Sequence, residues 1–223
     1  MAFDDLGVYW NAGFFLAQND DATYYYENMM NVLKWIELAT QSQIIIYGGY
    51  IRRIVENCME NVHKSLDDRP FKPPPNINIW LLFPEAIHND EWISKKMKIL
   101  QILGDKFGIY SMEHPSSISD NPIFKIFCCN IHFEIKTKII SKYNYTICEN
   151  CDFTANNLMM DMNGKILERT KSQYDYNTIF NDIVNKKLRT IYKFKYSASH
   201  PLTTKAQIIL EQRREKMIKE GYS

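Results

Sequence analysis

Three short segments of the chain carry residue types at spacings that suit phosphate chemistry. The first is Gly48-Gly49-Tyr50-Ile51-Arg52-Arg53. Glycines between a strand and a helix let the backbone approach a phosphate, which then meets the free N–H groups and positive dipole end of the helix. Arg52 or Arg53, on the first turn, could hold that phosphate through paired N–H bonds. The same residues also fit a plain tight turn with two solvated arginines. The second segment is Asn76-Ile77-Asn78-Ile79. Alternate residues of a strand share a face, so two carboxylates at this spacing would converge on hard divalent cations, as two-metal phosphoryl transfer requires. Both positions are asparagine, whose amide oxygen ligates weakly and brings no charge. The third, Asp152-Phe153-Thr154-Ala155-Asn156-Asn157, alternates polar and apolar residues as a half-buried strand does.

Other segments allow different chemistry. Cys148-x-x-Cys151 has zinc-knuckle spacing, and Cys128-Cys129 with His132 could complete a four-ligand site. Adjacent cysteines on a strand point to opposite faces, which leaves Cys128, Cys148 and Cys151 as the zinc candidates and buried free thiols as the competing reading. Lys186, Lys187, Arg189, Lys193 and Lys195 are interleaved with aromatic residues, as in single-strand nucleic-acid binders, although a strand with one solvated lysine face has the same pattern. Arg213, Arg214, Lys216 and Lys219 are balanced by Glu211, Glu215 and Glu220, which predicts a solvated helix with local ion pairs. His200 has no nucleophilic partner placed by the sequence.

The elements that must position these residues follow from apolar spacing. Met29, Val32, Leu33, Ile36 and Ala39 predict a helix that starts at Asp21 or Thr23 and ends near Thr40. Ile44–Tyr47 reads as a strand closed by Gly48-Gly49, and the next helix buries Ile51, Ile54 and Val55. A proline-rich loop over 67–75 leads to the buried strand Asn76–Phe83. A helix over 85–103, with Ile93, Met97, Leu100 and Leu103 inward, is expected to end at Gly104. Strands are expected over 107–112, 123–128, 131–140 and 153–162, with Asn163-Gly164 as a hairpin turn. Helices over 176–188 and 203–220 complete the chain, and the alternation argues for a mixed α/β or α+β domain.

Composition bounds the function. The 223 residues, 45% hydrophobic and 24% charged, suffice for one large domain or a domain with an appendage. A net charge of +1 does not by itself call for nucleic acid or membrane. No apolar run reaches the roughly 20 residues of a membrane helix. Five cysteines in a chain of this size, and an N-terminus lacking a basic signal region, lead us to expect reduced thiols and a cytoplasmic location.

Taken in order, the three segments resemble the head domain of the CCA-adding enzymes and bacterial poly(A) polymerases, in the polymerase-β-like nucleotidyltransferase superfamily. That family carries a Gly-Gly-x-x-Arg-Asp turn, Asp-x-Asp on the next strand, and Arg-Arg-Asp-Phe-Thr-x-Asn-Ala before an Asp/Asn-Gly hairpin. The resemblance covers roughly residues 40–170. It implies a mixed sheet of about five strands flanked by helices over 1–170, with a helical and basic appendage over 171–223. It also implies that Gly48, Gly49 and Arg52 line the phosphate side of a cleft and that Asp152 and Asn156 line the nucleotide side. The departures are as telling. The paired metal-binding aspartates fall on Asn76 and Asn78, the aspartate of the turn on Arg53, and the paired arginines on Asn150 and Cys151. Glu134 stands where the superfamily can carry a third carboxylate. The implied protein is catalytically inactive, needs no cofactor, and binds or scaffolds a nucleotide, an RNA or a protein partner. One alternative is an active enzyme using magnesium, Glu134 and carboxylates such as Asp67 or Asp68. Another is a zinc-stabilised interaction module.

Overall fold

The computed structural model describes residues 10–12, 16, 20–61, 71–84, 87–108, 111–113, 124–139, 152–169, 172–191 and 201–223. Its two most apolar strands form the middle of the sheet. β2 (Gln43–Tyr47) and β3 (Ile77–Phe83) run antiparallel, with Ile45 opposite Trp80 and Tyr47 opposite Asn78. Among the described residues the sheet has eight strands, in the order β1-β8-β7-β2-β3-β6-β5-β4. β1 is Trp10–Asn11, β4 is Ser111–Glu113, β5 is Phe124–Cys128, β6 is Ile131–Ile139, β7 is Leu158–Asp161 and β8 is Lys165–Glu168. β3 and β6 are parallel, and the other pairs are antiparallel. The sheet exceeds the expected five strands because the short β1 and β4 extend its two edges.

The helices are α1 (Asp20–Thr40), α2 (Gly49–Asn61), α3 (Asn89–Phe107), α4 (Tyr176–Val184) and α5 (Pro201–Lys219). The period of two divides the sheet cleanly. Ile44, Ile46, Ile77, Ile79, Leu81 and Phe133 share one large core with the helices. The opposite face carries Ile45, Tyr47, Trp80, Leu82, Met159 and Leu167 as a separate buried cluster. There the Tyr47 and Trp80 rings stack at 3.8 Å, and the Arg169 guanidinium lies 4.8 Å from the Tyr47 ring.

Several expectations need correction. Gly104 does not end α3, which continues to Phe107 and is closed by Gly108 at φ 76°. Its buried face is Trp92, Ile99, Leu100 and Leu103, whereas Ile93 and Met97 are exposed. The Lys96 ammonium lies 5.2 Å from the Trp92 ring centroid and 5.7 Å from that of Phe124. Phe107 belongs to a helix, not a strand. Trp10–Asn11, ahead of the first expected element, pairs with β8.

Candidate functional site

The cleft forms where β2 turns into α2. Gly48 takes φ 78°, a conformation that side chains rarely adopt, and the chain reverses directly into α2. A Cβ on Gly48 would lie 3.9 Å from Asn78 Nδ2, and one on Gly49 would meet nothing within 4 Å among the described residues. The turn therefore faces the start of β3, and the first turn of α2 opens beside it. Gly48 and Asn78 come together at this turn. Asn76 is half-buried just before β3, two residues from Asn78.

The described charges near this turn are paired across the sheet. Asn78 is the parallel-register neighbour of Glu134, and Glu134 stands opposite Lys125, with Nζ and Oε1 4.0 Å apart. Among the described residues no three His, Cys, Asp or Glu side chains cluster as a metal would require. Asp67, Asp68, Cys148, Asn150 and Cys151 lie outside the described residues. Cys128 is buried and Cys129 exposed, their Sγ atoms 3.9 Å apart. Burial, then the neighbouring Cys129, pushes the Cys128 thiol up to about 12, which disfavours the thiolate a zinc ion needs.

Arg52 goes elsewhere. It is 5% exposed, and its Nη1 donates to Asn156 Oδ1 at 2.9 Å and to the Met217 sulfur of α5. Its Nη2 donates to Glu220 just beyond α5, and its Nε lies 3.5 Å from Glu56 one turn along α2. Arg53 Nη1 bonds Glu56 at 3.0 Å, and its Nη2 is 3.6 Å from Glu220. The Tyr222 hydroxyl donates to Glu56, and its ring centroid is 5.2 Å from the Arg52 guanidinium. Two arginines and two glutamates thus balance each other at the α2–α5 junction. Burial first, and the Glu56 carboxylate second, push the Tyr222 phenol well above its ordinary value.

The segment from Asp152 is not a strand. Thr154–Asn156 is a single 3-10 turn, and β7 begins only at Leu158. Long-range partners override the polar–apolar alternation. Asp152 accepts from Arg213 Nη1 at 3.0 Å, and Thr154 donates to the buried Asp182 at 2.5 Å. Asp182 also pairs with Arg189 at 2.9 Å. Asp152, Asn156 and Arg52 therefore form one wall, and α5 packs on it. This corrects the expectation for α5: Arg213 and Glu220 pair across the fold as well as being balanced in sequence. Glu56, Asp182, Met217, Glu220 and Tyr222 were missed as members of this wall. Only the Arg52–Glu56 spacing of four residues carries a signal in the sequence. A separate open hollow of about 540 Å³ is lined by α1 residues such as Lys34, Trp35 and Leu38, and shares no residue with the cleft.

No protein-family model matches the chain, and no curated protein matches it. Solved structures do. The Thermotoga maritima CCA-adding enzyme complexed with tRNA is similar over 96% of this chain and 46% of its own, at 12% identity and a TM-score of 0.52. A CCA-adding enzyme in complex with ATP is similar over 84% of this chain and 38% of its own, at 10% identity and a TM-score of 0.50. Its complex with CTP is similar over 84% and 37%, at 11% identity and a TM-score of 0.50. The chain spans less than half the length of these enzymes. No described helix is long and apolar enough to cross a membrane. The mixed sheet, the glycine turn against β3 and the flanking helices give this chain the fold of the nucleotidyltransferase head of CCA-adding enzymes.

Proposed function

We propose that the chain is a catalytically inactive relative of the nucleotidyltransferases that binds a nucleotide at the Gly48–Asn78 cleft without a metal ion. The observation that carries this reading is the neutral Asn78 side chain beside Gly48, with Glu134 ion-paired to Lys125. Phosphoryl transfer in this fold needs anionic oxygens that hold cations against a triphosphate. Here the register places Lys125, Lys136 and Lys138 on the same sheet face as Asn78 and Glu134. Asp161, on that face, accepts from the Asn163 and Lys165 amides and serves the β7–β8 turn. The N-terminus of α2 beside the glycine turn suits a phosphate group. The ATP, CTP and tRNA of the similar structures support a nucleotide, or a nucleotide at the end of an RNA, as the ligand.

The test is incorporation of labelled nucleotide into RNA with magnesium or manganese, alongside calorimetric ATP binding in EDTA. The expected result is binding without transfer. Metal-dependent incorporation that disappears in Glu134→Gln would establish the active alternative instead.

A further inference from the structure

Arg52, from the expected phosphate side of the cleft, and Asp152 and Asn156, from its nucleotide side, already have an occupant. Arg52 binds Met217 and Glu220, Asn156 Nδ2 lies 3.9 Å from the Met217 sulfur, and Asp152 binds Arg213. All three partners belong to α5 or the turn that follows it. Arg52 and Arg53 both approach one oxygen, Glu220 Oε2, which is how two guanidinium groups also receive a phosphate oxygen. We propose that α5 is an intramolecular occupant of this wall, with the Glu220 carboxylate standing in for an anionic ligand, so that α5 docking and nucleotide binding compete. This inference rests on the nucleotide-binding reading above.

Two further features favour a releasable helix over a permanent strut. First, α5 offers few apolar side chains to the wall. Met217 is its one buried described residue and Leu210 packs partly buried against the core, while Ile208, Ile209 and Ile218 remain exposed. Charge pairing is a large part of what holds the helix here, and charge pairing is what a triphosphate can replace. Second, the two glutamates differ. Glu56 is 4% exposed and fixed on α2, whereas Glu220 is 20% exposed and reaches in from outside. Removing Glu220 leaves two guanidinium groups against Glu56 alone, with a carboxylate-sized gap between them. Gly221, at φ 92°, bends the chain so that Tyr222 folds under Arg52. The tail is then pinned by Leu188 N donating to Ser223 O and Ser223 N donating to Lys186 O, each at 2.8 Å. Once Glu220 is displaced, these backbone bonds, the Tyr222–Glu56 contact, the Arg213–Asp152 pair and the Arg52–Met217 bond are what remain to resist release.

The experiment measures amide hydrogen exchange of α5 in the unaltered protein with and without ATP in EDTA, and ATP affinity by calorimetry in Glu220→Gln and in Ile208→Ala, whose side chain is exposed on the same helix. Competition predicts that ATP raises exchange across α5. It also predicts that Glu220→Gln binds ATP about 10-fold more tightly, within the usual range of coupling between sites, while Ile208→Ala changes little. ATP binding that leaves α5 exchange unchanged, with equal affinity in Glu220→Gln, overturns the competition and leaves the nucleotide-binding reading standing. No binding to either protein overturns both. The exchange measurement needs no variant, so a folding defect in Glu220→Gln does not decide the matter.

Discussion

Two regions of this molecule handle charge in opposite ways. At the α2–α5 junction, Arg52 and Glu56 are 5% and 4% exposed, and each charge has a partner from another element or turn. On the sheet face beside Gly48, Lys125 and Glu134 are 43% and 26% exposed and meet at 4.0 Å. The first closes its charges on one another and the second leaves them open to exchange with solvent and solutes. The comparison teaches that an arginine after a glycine turn is not thereby a free phosphate ligand. Arg52 sits on the expected turn, yet its side chain is already bonded to the 3-10 turn, α5 and Glu220. Whichever neighbour supplies a buried counter-charge claims the guanidinium.

The sharpest way to break the comparison is to remove one charge from each region. Arg52→Met leaves the buried Glu56 and the part-buried Glu220 with Arg53 as their one described cation. Loss of one partner from a buried pair costs about 3–5 kcal/mol, so urea unfolding should show a fall of that order. Lys125→Met touches a partly exposed pair screened by solvent and should change stability by roughly 0–1 kcal/mol. Equal losses would mean that the two regions do not differ in the way their burial indicates.

The second prediction concerns the asparagines. Asn78→Asp places a carboxylate beside Glu134 in the parallel register, and like charges on neighbouring strands cost up to about 1 kcal/mol. The double variant Asn76→Asp with Asn78→Asp should therefore melt lower than the unaltered protein in EDTA and regain stability with magnesium. It should also bind ATP in a magnesium-dependent way by calorimetry. A double variant that gains nothing from magnesium would show that the cleft lacks the geometry of a metal site, and not only the charge.

Parts of this contrast were legible in the sequence and parts were not. Ile44–Tyr47 and Ile77–Phe83 are unbroken apolar runs, and an apolar run bounded by glycine and proline has few other fates than a buried strand. The Gly48 turn was legible because a positive φ has to be taken by some residue, and glycine takes it most easily. The face of α3 was not, because Trp92 and Ile99 compete with Ile93 and Met97 for the same helical stripe. The core chose the tryptophan, which meets Phe124 edge-on at 6.2 Å. The Asp152 segment misled because alternation is a local pattern. Asp152, Thr154 and Asn156 bond to residues that lie 61, 28 and 104 positions away. Spacing carries no information at those separations. Glu220 illustrates the same limit, since four basic residues nearby in α5, Arg213, Arg214, Lys216 and Lys219, offered local partners.

The smallest expected effect separates the two regions by pH. Tyr222 titrates above its ordinary value because burial and Glu56 both oppose the phenolate. The neutral phenol is therefore the form that the folded junction favours. A group with a raised folded value contributes stability that is fully present below its unfolded pKa and is lost as pH rises through the folded one. The unfolded phenol titrates near 10.0, so the loss begins there. At pH 10 the unfolded chain already gains about 0.4 kcal/mol from ionising this one phenol, against almost nothing at pH 8. Tyr222→Phe cannot ionise. The stability difference between the two proteins, measured by urea unfolding, should therefore shrink by about that amount over this range. Other buried phenols, such as Tyr50, titrate alike in both proteins and cancel in the difference. Lys125→Met, altered on the open face, keeps the Tyr222 phenol and its Glu56 contact, and should run parallel to the unaltered protein up to pH 10. A difference that stays constant would place the Tyr222 hydroxyl in solvent and detach the tail from Glu56. The α2–α5 junction would then rest on its arginines alone.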